Sequence, residues 1–184
     1  MDLTGKFLIA MPAMADPRFE RSVILICAHS AEGTMGFILN KPLPELKFSS
    51  LLDQIGIPHT VDLSDTPVHY GGPVEQGRGF VLHSPDWEAT SSTMEVEGGF
   101  AMTASQEVLA ALGRGEGPSQ ALLALGYAGW GPDQLESEIR RNDWLTSDSS
   151  FDLVFAPDAT TKWAKALAAL KIDPLTLSST AGRA

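Results

Sequence analysis

A continuous apolar run near the start of the chain restricts the fold more than any other feature. Residues 22–28 (SVILICA) are rich in β-branched side chains, which is typical of a strand buried on both faces. A turn at residues 30–33 follows, and a second apolar run at residues 35–40 stops before Pro42. The two runs predict an antiparallel hairpin.

The other apolar patterns add strands and helices in an irregular order. Further strands are predicted at residues 7–11, 94–96, 100–102 and 151–155, and on both sides of a loop within residues 68–84. Helices are predicted at residues 48–55, before Gly113, after Pro132 and at residues 163–170. Residues 121–127 fit a helix or a buried strand, and Gly126 favours the strand. Because there is no regular βαβ alternation, the sequence predicts an α+β fold.

Local signals predict where two of the helices begin and end. Thr103 and Gln106 have the spacing of a capping box, and Gly113 is expected to close the helix that follows. Pro132 is expected at the first position of the next helix, with Asp133 and Glu136 in its first turn.

Length and charge limit the possible functions. A chain of 184 residues predicts one domain, residues 1–184, in which residues 173–184 form an irregular tail. The 13 Lys and Arg residues are outnumbered by 23 Asp and Glu residues, for a net charge of −10. A surface this acidic repels phosphate backbones, so direct nucleic-acid binding is disfavoured.

Cysteine usage and the N-terminal segment predict the compartment. Cys27 is the single cysteine, so an intrachain disulfide is impossible, and its apolar neighbours predict that the thiol is buried and unreactive. The first 22 residues lack the basic and long apolar regions of a signal peptide. No apolar run approaches the roughly 20 residues of a membrane span. We therefore expect a cytoplasmic protein with no membrane association.

The segment 68–84 (VHYGGPVEQGRGFVLHS) combines strand-like ends with a glycine-rich middle. Its glycine spacing superficially copies a P-loop. However, Arg78 replaces the lysine, Gly79 replaces the hydroxyl residue that holds magnesium, and Glu75 would place a negative charge beside the phosphates. We interpret the segment as a strand–strand connection with one additional feature, the accessible cation of Arg78.

Other chemistry-bearing residues form no complete motif. The histidines make no metal-binding pattern, and no G-x-S-x-G elbow is present. We interpret His69 and His83 as outward partners of apolar strand residues, or alternatively as ligand contacts. Trp130, between two glycines, is interpreted as a core or lid residue at a helix entry, with ligand contact as the alternative. The sequence predicts no catalytic residue, metal or cofactor.

Taken together, six segments resemble the YqgE/AlgH family of bacterial proteins. One residue, Asp133, departs from the small residue expected after the Gly-Pro, and an acid near a helix start is structurally favourable. The matching segments are GKFLIAMPAMADPRFERSVILICAH (5–29), MGFILNKP (35–42), YGGPVEQGRGFVLHS (70–84), GGFAMTASQEVL (98–109), ALLALGYAGWGPDQLESEIRRNDWL (121–145) and FDLVF (151–155).

The resemblance implies an α+β fold with a central, mostly antiparallel and partly barrel-like β-sheet flanked by helices. Members of the family are often labelled regulators of transcription, and the resemblance supplies no catalytic residues. The chain itself lacks a helix-turn-helix with basic recognition residues. The leading expectation is therefore a non-enzymatic, cytoplasmic regulatory or interaction protein that affects gene expression indirectly.

The alternative is a small-molecule or anion-binding protein, or a weak hydrolase, that uses the GGPVEQGRG loop. A direct DNA-binding protein is the third and least favoured hypothesis, because of the net charge. The expected partner is an unknown protein or a small anionic ligand. The candidate ligand or partner residues are Arg78, His69, His83, Asn40, Lys41 and Trp130.

Overall fold

The computed structural model describes residues 1–176. The strands in this part of the chain are β1 Lys6–Ala10, β2 Val23–Ser30, β3 Gly33–Ile38, β4 Val68–Tyr70, β5 Val74–His83, β6 Thr93–Val96, β7 Phe100–Thr103, β8 Ala121–Trp130 and β9 Trp144–Asp148. The helices are α1 Phe48–Gln54, α2 Gln106–Arg114, α3 Gln134–Arg140, α4 Phe151–Val154 and α5 Lys162–Ala169, with a short 3-10 helix at Ala159–Thr161.

The strands form one curled, half-barrel sheet in the order β6-β7-β5-β8-β3-β2-β1-β9. All neighbours along this path pair antiparallel, and β4 lies off the path, paired parallel to β8. The expected α+β fold with a mostly antiparallel, partly barrel-like sheet is confirmed. Strand β8 is central because it pairs with β5 and β4 along its first half and with β3 along its second.

The predicted hairpin of residues 22–40 is formed by β2 and β3, with Leu25 opposite Phe37. The side chains of β2 alternate between two hydrophobic clusters on opposite faces of the sheet. Fully burying an aliphatic side chain stabilises a fold by about 1.5–3 kcal/mol, so this strand contributes strongly on both faces. Cys27 is 3% exposed, and burial raises the pKa of its thiol to about 12.

Helices cover both faces of the sheet. The first cluster packs beneath α5, where Ala166 and Leu167 are buried as the helical periodicity predicted. The second cluster includes Leu135 of α3, and the third lies beneath α1 and α2. Because both faces are covered, few side chains of the sheet face water.

The strand predicted at residues 151–155 is wrong, because these residues begin a helix, α4. The Ser150 hydroxyl caps this helix by accepting a hydrogen bond from the Leu153 main-chain N–H. The ring of Phe151 stacks on Phe100 with centroids 5.9 Å apart. A run of five apolar residues is too short for its periodicity to separate helix from strand.

Helix α2 forms as expected, but its predicted ends are wrong. Thr103 belongs to β7, and the helix starts after Ser105 without a side-chain cap. The helix continues through Gly113 and ends at Arg114, and the next residue, Gly115, caps it with a left-handed φ of 77°. Gly113 has a packing role instead, since a Cβ there would lie 2.7 Å from the Pro58 carbonyl oxygen.

Helix α3 begins two residues later than Pro132, after Asp133, which adopts a left-handed φ of 59°. The start is fixed by Gln134, whose side-chain oxygen accepts a hydrogen bond from the Gly131 N–H at 3.0 Å. At the C-terminal end, residues 174–176 form a turn, and the rest of the predicted tail lies outside the described residues. Within residues 1–176, no helix has the length and apolar character needed to cross a bilayer.

Candidate functional site

The GGPVEQGRG segment divides into two parts with different roles. Strands β4 and β5 pair with opposite edges of β8, so the three residues between them carry the chain across β8. A Cβ at Gly71 would overlap the Gly126 carbonyl oxygen, and one at Gly72 would overlap the main chain of Tyr127. Gly71 and Gly72 are therefore required, because the main chain of β8 lies too close to leave room for a Cβ.

The second part of the segment leaves the sheet. Val74 pairs with Tyr127 and Gly79 with Leu125, so residues 75–78 of β5 lie opposite Gly126 alone. These four residues bulge outward and are exposed. A Cβ at Gly77 would meet nothing within 4 Å. The predicted loop is thus a wide bulge inside β5, and the true connection is shorter than expected.

Arg78 lies at the end of this bulge with 56% of its side chain exposed. Its guanidinium carbon lies 4.9 Å from the centroid of the Phe80 ring, which is a cation–π distance. Its Nη1 lies 3.5 Å from a carboxylate oxygen of Glu75, a long and exposed ion pair. The guanidinium is therefore held over an aromatic face, and its contact with Glu75 takes up one of its five N–H donors.

Arg78 borders an open cleft of about 640 Å³, which we call the Arg78 cleft. Its apolar lining includes Met35, Phe80 and Tyr127, and its polar lining includes Glu32 and Glu75 as well as the guanidinium. The turn between β2 and β3 and the bulge of β5 form its sides. One cation and two carboxylates surround an apolar surface, so the cleft lacks the excess positive charge of a dedicated anion site.

Trp130 also borders the Arg78 cleft, but its side chain is part of the core. It packs edge-on against Trp144 at 6.0 Å and stacks with Phe19 at 6.3 Å between ring centroids. It is the last residue of β8, two residues before Pro132. Of the six candidate residues, Arg78 and Trp130 are the two that the structure brings to one cleft.

His83 is buried and all its polar atoms are engaged. Its Nδ1 donates to the Ser84 carbonyl at 2.7 Å, which leaves Nε2 to accept from the Thr103 hydroxyl at 2.8 Å. Burial lowers the pKa of His83, so the ring is neutral. The interpretation of His83 as an outward residue is wrong, because the sheet is covered on both faces and the side chain is buried.

Asn40 and Lys41 hold the segment that precedes β2. The Asn40 side chain accepts from the Val23 N–H at 2.9 Å and donates to the Arg21 carbonyl at 2.8 Å. The Lys41 ammonium donates to the Glu20 carbonyl at 2.9 Å. Both side chains therefore stabilise a loop, and the structure does not bring them to the Arg78 cleft.

His69 lies in a different pocket, together with a residue that the sequence interpretation missed. His69 is 2% exposed and, like His83, is buried, so its predicted outward orientation is wrong. It borders a space of about 690 Å³ that is also bordered by Lys162. Lys162 could have been noticed, because it lies four residues before Ala166 on the apolar face of α5.

No group of three or more His, Cys, Asp or Glu side chains in the described part of the chain is arranged to hold a metal ion. The polar groups of this part instead form pairs and small networks. Ser84, for example, donates to Asp86 at 2.7 Å, and His29 contacts Glu136 at 2.7 Å through Nε2. The Arg78 cleft and the His69–Lys162 pocket are two of the places where polar groups border open space.

Comparison with known proteins gives a consistent relationship along the chain. Residues 7–175 match the model of a family described as AlgH-like. A UPF0301 protein of Cereibacter sphaeroides strain ATCC 17029 is 59% identical over 184 residues, which covers 100% of both chains. A UPF0301 protein of Paracoccus denitrificans strain Pd 1222 is 55% identical, covering 100% of this chain and 97% of the relative.

Solved structures show the same fold. The solution structure of AlgH from Pseudomonas aeruginosa superposes with a TM-score of 0.79 at 37% identity, covering 97% of this chain and 94% of that one. The crystal structure of a protein from Corynebacterium diphtheriae superposes with a TM-score of 0.72 at 24% identity, covering 96% and 90%. At that identity the second likeness concerns the fold alone.

Proposed function

The chain belongs to the AlgH-like family, and from that premise we propose that it is a cytoplasmic, non-enzymatic regulatory protein that binds another protein at the Arg78 cleft. Any effect on gene expression is then indirect and passes through the bound partner. The observation that carries the proposal is the exposed Arg78 guanidinium, held over the Phe80 ring at the edge of an apolar cleft.

The composition of the cleft favours a protein segment over a free anion. An apolar side chain of the partner can cover Met35 and Tyr127, while a carboxylate or main-chain carbonyl accepts from Arg78. Main-chain N–H groups or a basic side chain of the partner can contact Glu32 and Glu75. A small anion alone would gain one cation and face two carboxylates, so it is the less well matched ligand.

Direct DNA binding is poorly matched to the same surface. Counterion release needs several basic side chains against the phosphates, and the chain carries a net charge of −10. The basic residue of the cleft is accompanied by two acids. The regulatory role therefore requires a protein partner that itself contacts the transcription machinery or acts upstream of it.

The test is a capture experiment from native lysate with three immobilised proteins: the wild type, Arg78→Ala and Arg114→Ala. Arg114 is a matched control, because its side chain is 54% exposed and pairs with Glu116 at 3.0 Å outside the cleft. We expect the wild type and Arg114→Ala to capture a common partner that Arg78→Ala loses. Nuclease treatment of the lysate should leave this capture unchanged.

Two results would contradict the proposal. If all three proteins capture the same set in the same amounts, the Arg78 cleft is not the binding surface. If the capture disappears after nuclease treatment, the partner is reached through nucleic acid, and the argument from charge is wrong.

A further inference from the structure

The His69–Lys162 pocket lies apart from the Arg78 cleft and is formed by different elements. His69 is the middle residue of β4, and Lys162 is the first residue of α5. The pocket of about 690 Å³ is also bordered by the segment between α4 and α5 and by the start of β8. Its volume is within the range of small-molecule sites in proteins.

Lys162 is a buried cation without an anionic partner. It is 2% exposed, and its Nζ donates to the carbonyl oxygens of Leu39 at 3.2 Å and Val154 at 2.8 Å. No carboxylate of residues 1–176 lies within ion-pair distance of it. Burial lowers the pKa of Lys162 to about 8, so a substantial fraction of the amine is neutral near physiological pH.

The hydrogen bonds of Lys162 determine what the neutral amine can do. Two donors are already directed at the Leu39 and Val154 carbonyls. When the third proton is lost, the two remaining hydrogens can stay on these carbonyls, and the lone pair occupies the remaining tetrahedral position. The amine is then oriented as a nucleophile by main-chain atoms alone.

His69 provides an independent sign that the pocket receives a ligand. Its side chain is buried, and in the described chain its Nδ1 has no hydrogen-bond partner. Buried polar atoms of native proteins are normally satisfied, so the unpaired nitrogen of a residue that lines the pocket is a candidate for a hydrogen bond to a ligand. Burial and then the charge of Lys162 lower the pKa of His69 to about 4, against a smaller opposing effect of the nearby Pro67 main chain, so the ring is neutral.

The charges at the pocket rim indicate which ligands it accepts. Asp65 and Asp158 are exposed and border the pocket, and they face the same space as His69 and Lys162. Their carboxylates repel an anionic ligand, so a molecule with a neutral body is favoured. The reactive amine requires that this molecule carry an electrophilic carbon.

We propose that this pocket binds a small, uncharged aldehyde or ketone, which Lys162 holds as a Schiff base beside His69. The neutral amine adds to the carbonyl carbon and forms a C–N bond, while a proton moves from nitrogen to the carbonyl oxygen. The resulting hydroxyl takes a proton delivered from solvent through His69 and leaves as water, and the protonated C=N bond that remains keeps one N–H on the Val154 carbonyl. The neutral ring of His69 relays these protons, and no oxidant or reductant takes part.

The chain contains the controls needed to test this in the wild-type protein. The folded protein is treated with benzaldehyde and sodium cyanoborohydride at pH 7.5, and modified lysines are located by peptide mapping with mass spectrometry. Lys47, Lys165 and Lys171 are exposed and serve as internal references. At this pH a lysine with a pKa of about 8 has roughly two hundred times the neutral fraction of an ordinary exposed lysine.

We expect Lys162 to be labelled at least about tenfold faster than Lys165, given that difference in neutral fraction. If Lys162 is instead the slowest lysine in the folded protein and reacts only after denaturation, its role is limited to hydrogen bonding the two carbonyls, and the proposal is wrong. Relative to the exposed Lys165, glyoxylate, an anionic aldehyde, should label Lys162 less readily than benzaldehyde does. A higher Lys162-to-Lys165 ratio with glyoxylate would overturn the argument from Asp65 and Asp158.

The contribution of His69 is tested with His69→Leu and the control His59→Leu. His59 is a histidine outside the pocket whose Nε2 lies 2.9 Å from Asp53. We expect His69→Leu to slow the labelling of Lys162 several-fold and to leave Lys165 unchanged, with the folded state verified by thermal melting. Equal labelling of Lys162 in both variants would show that His69 takes no part in the proton transfers.

Discussion

Arg78 and Lys162 are both cations beside a cavity, but the protein treats them in opposite ways. Arg78 is 56% exposed on a bulge and is held by an aromatic face and a distant carboxylate. Lys162 is 2% exposed and is held by two main-chain carbonyls. The charge of the first is available to a partner and costs the fold little. The charge of Lys162 destabilises the fold, and this cost disappears when the amine is neutral.

The largest effect that distinguishes the two residues is expected from Lys162→Ala. This change leaves a cavity and removes the donor from the Leu39 and Val154 carbonyls, so the free energy of unfolding should fall by about 2–4 kcal/mol. Lys162→Met should lose less, since it keeps the volume and removes the buried charge as well. Chemical denaturation of both variants provides the measurement.

Lys165→Ala is the control for this experiment, because Lys165 belongs to the same helix and is exposed. It should change stability by no more than about 0.5 kcal/mol. A similarly small effect of Lys162→Ala would show that the buried lysine contributes no packing, and the contrast with Arg78 would be lost.

A somewhat smaller effect is expected from pH. The folded-state pKa of Lys162, about 8, lies below its ordinary value of 10.5, so between these values the unfolded chain binds more protons than the folded one. Stability therefore rises with pH across this window, by up to roughly 3 kcal/mol for a shift of this size. Conversely, this contribution is lost as the pH falls from 10.5 to about 8.

The measurement is the difference in unfolding free energy between the wild type and Lys162→Met from pH 7.5 to pH 10.5. Taking the difference cancels the titration of the other lysines and of the tyrosines. The unfolding free energy of the wild type should rise relative to that of Lys162→Met as the pH rises. A constant difference would mean that the Lys162 amine has an ordinary pKa in the folded protein.

The smallest effect is expected from Arg78→Ala, which should alter the free energy of unfolding by less than about 0.5 kcal/mol, as exposed substitutions usually do. Its contacts with Glu75 and Phe80 are exposed and weak. Thermal melts of Arg78→Ala and Arg114→Ala should coincide. A loss of several kcal/mol in Arg78→Ala alone would show that the guanidinium supports the fold, and its loss of binding could no longer be assigned to the cleft.

The sequence predicted those features of the fold and the site that depend on patterns of neighbouring residues. The run at residues 22–28 is apolar at every position because its side chains enter two clusters, and this is visible without knowledge of the partners. Arg78 could be identified as accessible because the glycines beside it leave the backbone uncovered. The α+β class followed from the order of these local patterns.

The sequence did not predict the burial of side chains whose neighbours come from distant parts of the chain. Lys162 is buried by its contacts with Leu39 and Val154, and no pattern around residue 162 reveals the first of these. His69 and His83 alternate with apolar residues and were expected to face water. They are buried because helices cover both faces of the sheet and β8 has strands along both edges.

The position of β8 between β4 and β5 has a consequence for synthesis on the ribosome. Val68 and Val81 both pair with Leu123, on opposite edges of β8. Until residue 123 has left the exit tunnel, β4 pairs only with residues 41–43 along one edge. Its other edge and one edge of β5 are open, and such edges can pair with other nascent chains. The interval in which the growing chain is most prone to self-association should therefore end when β8 emerges.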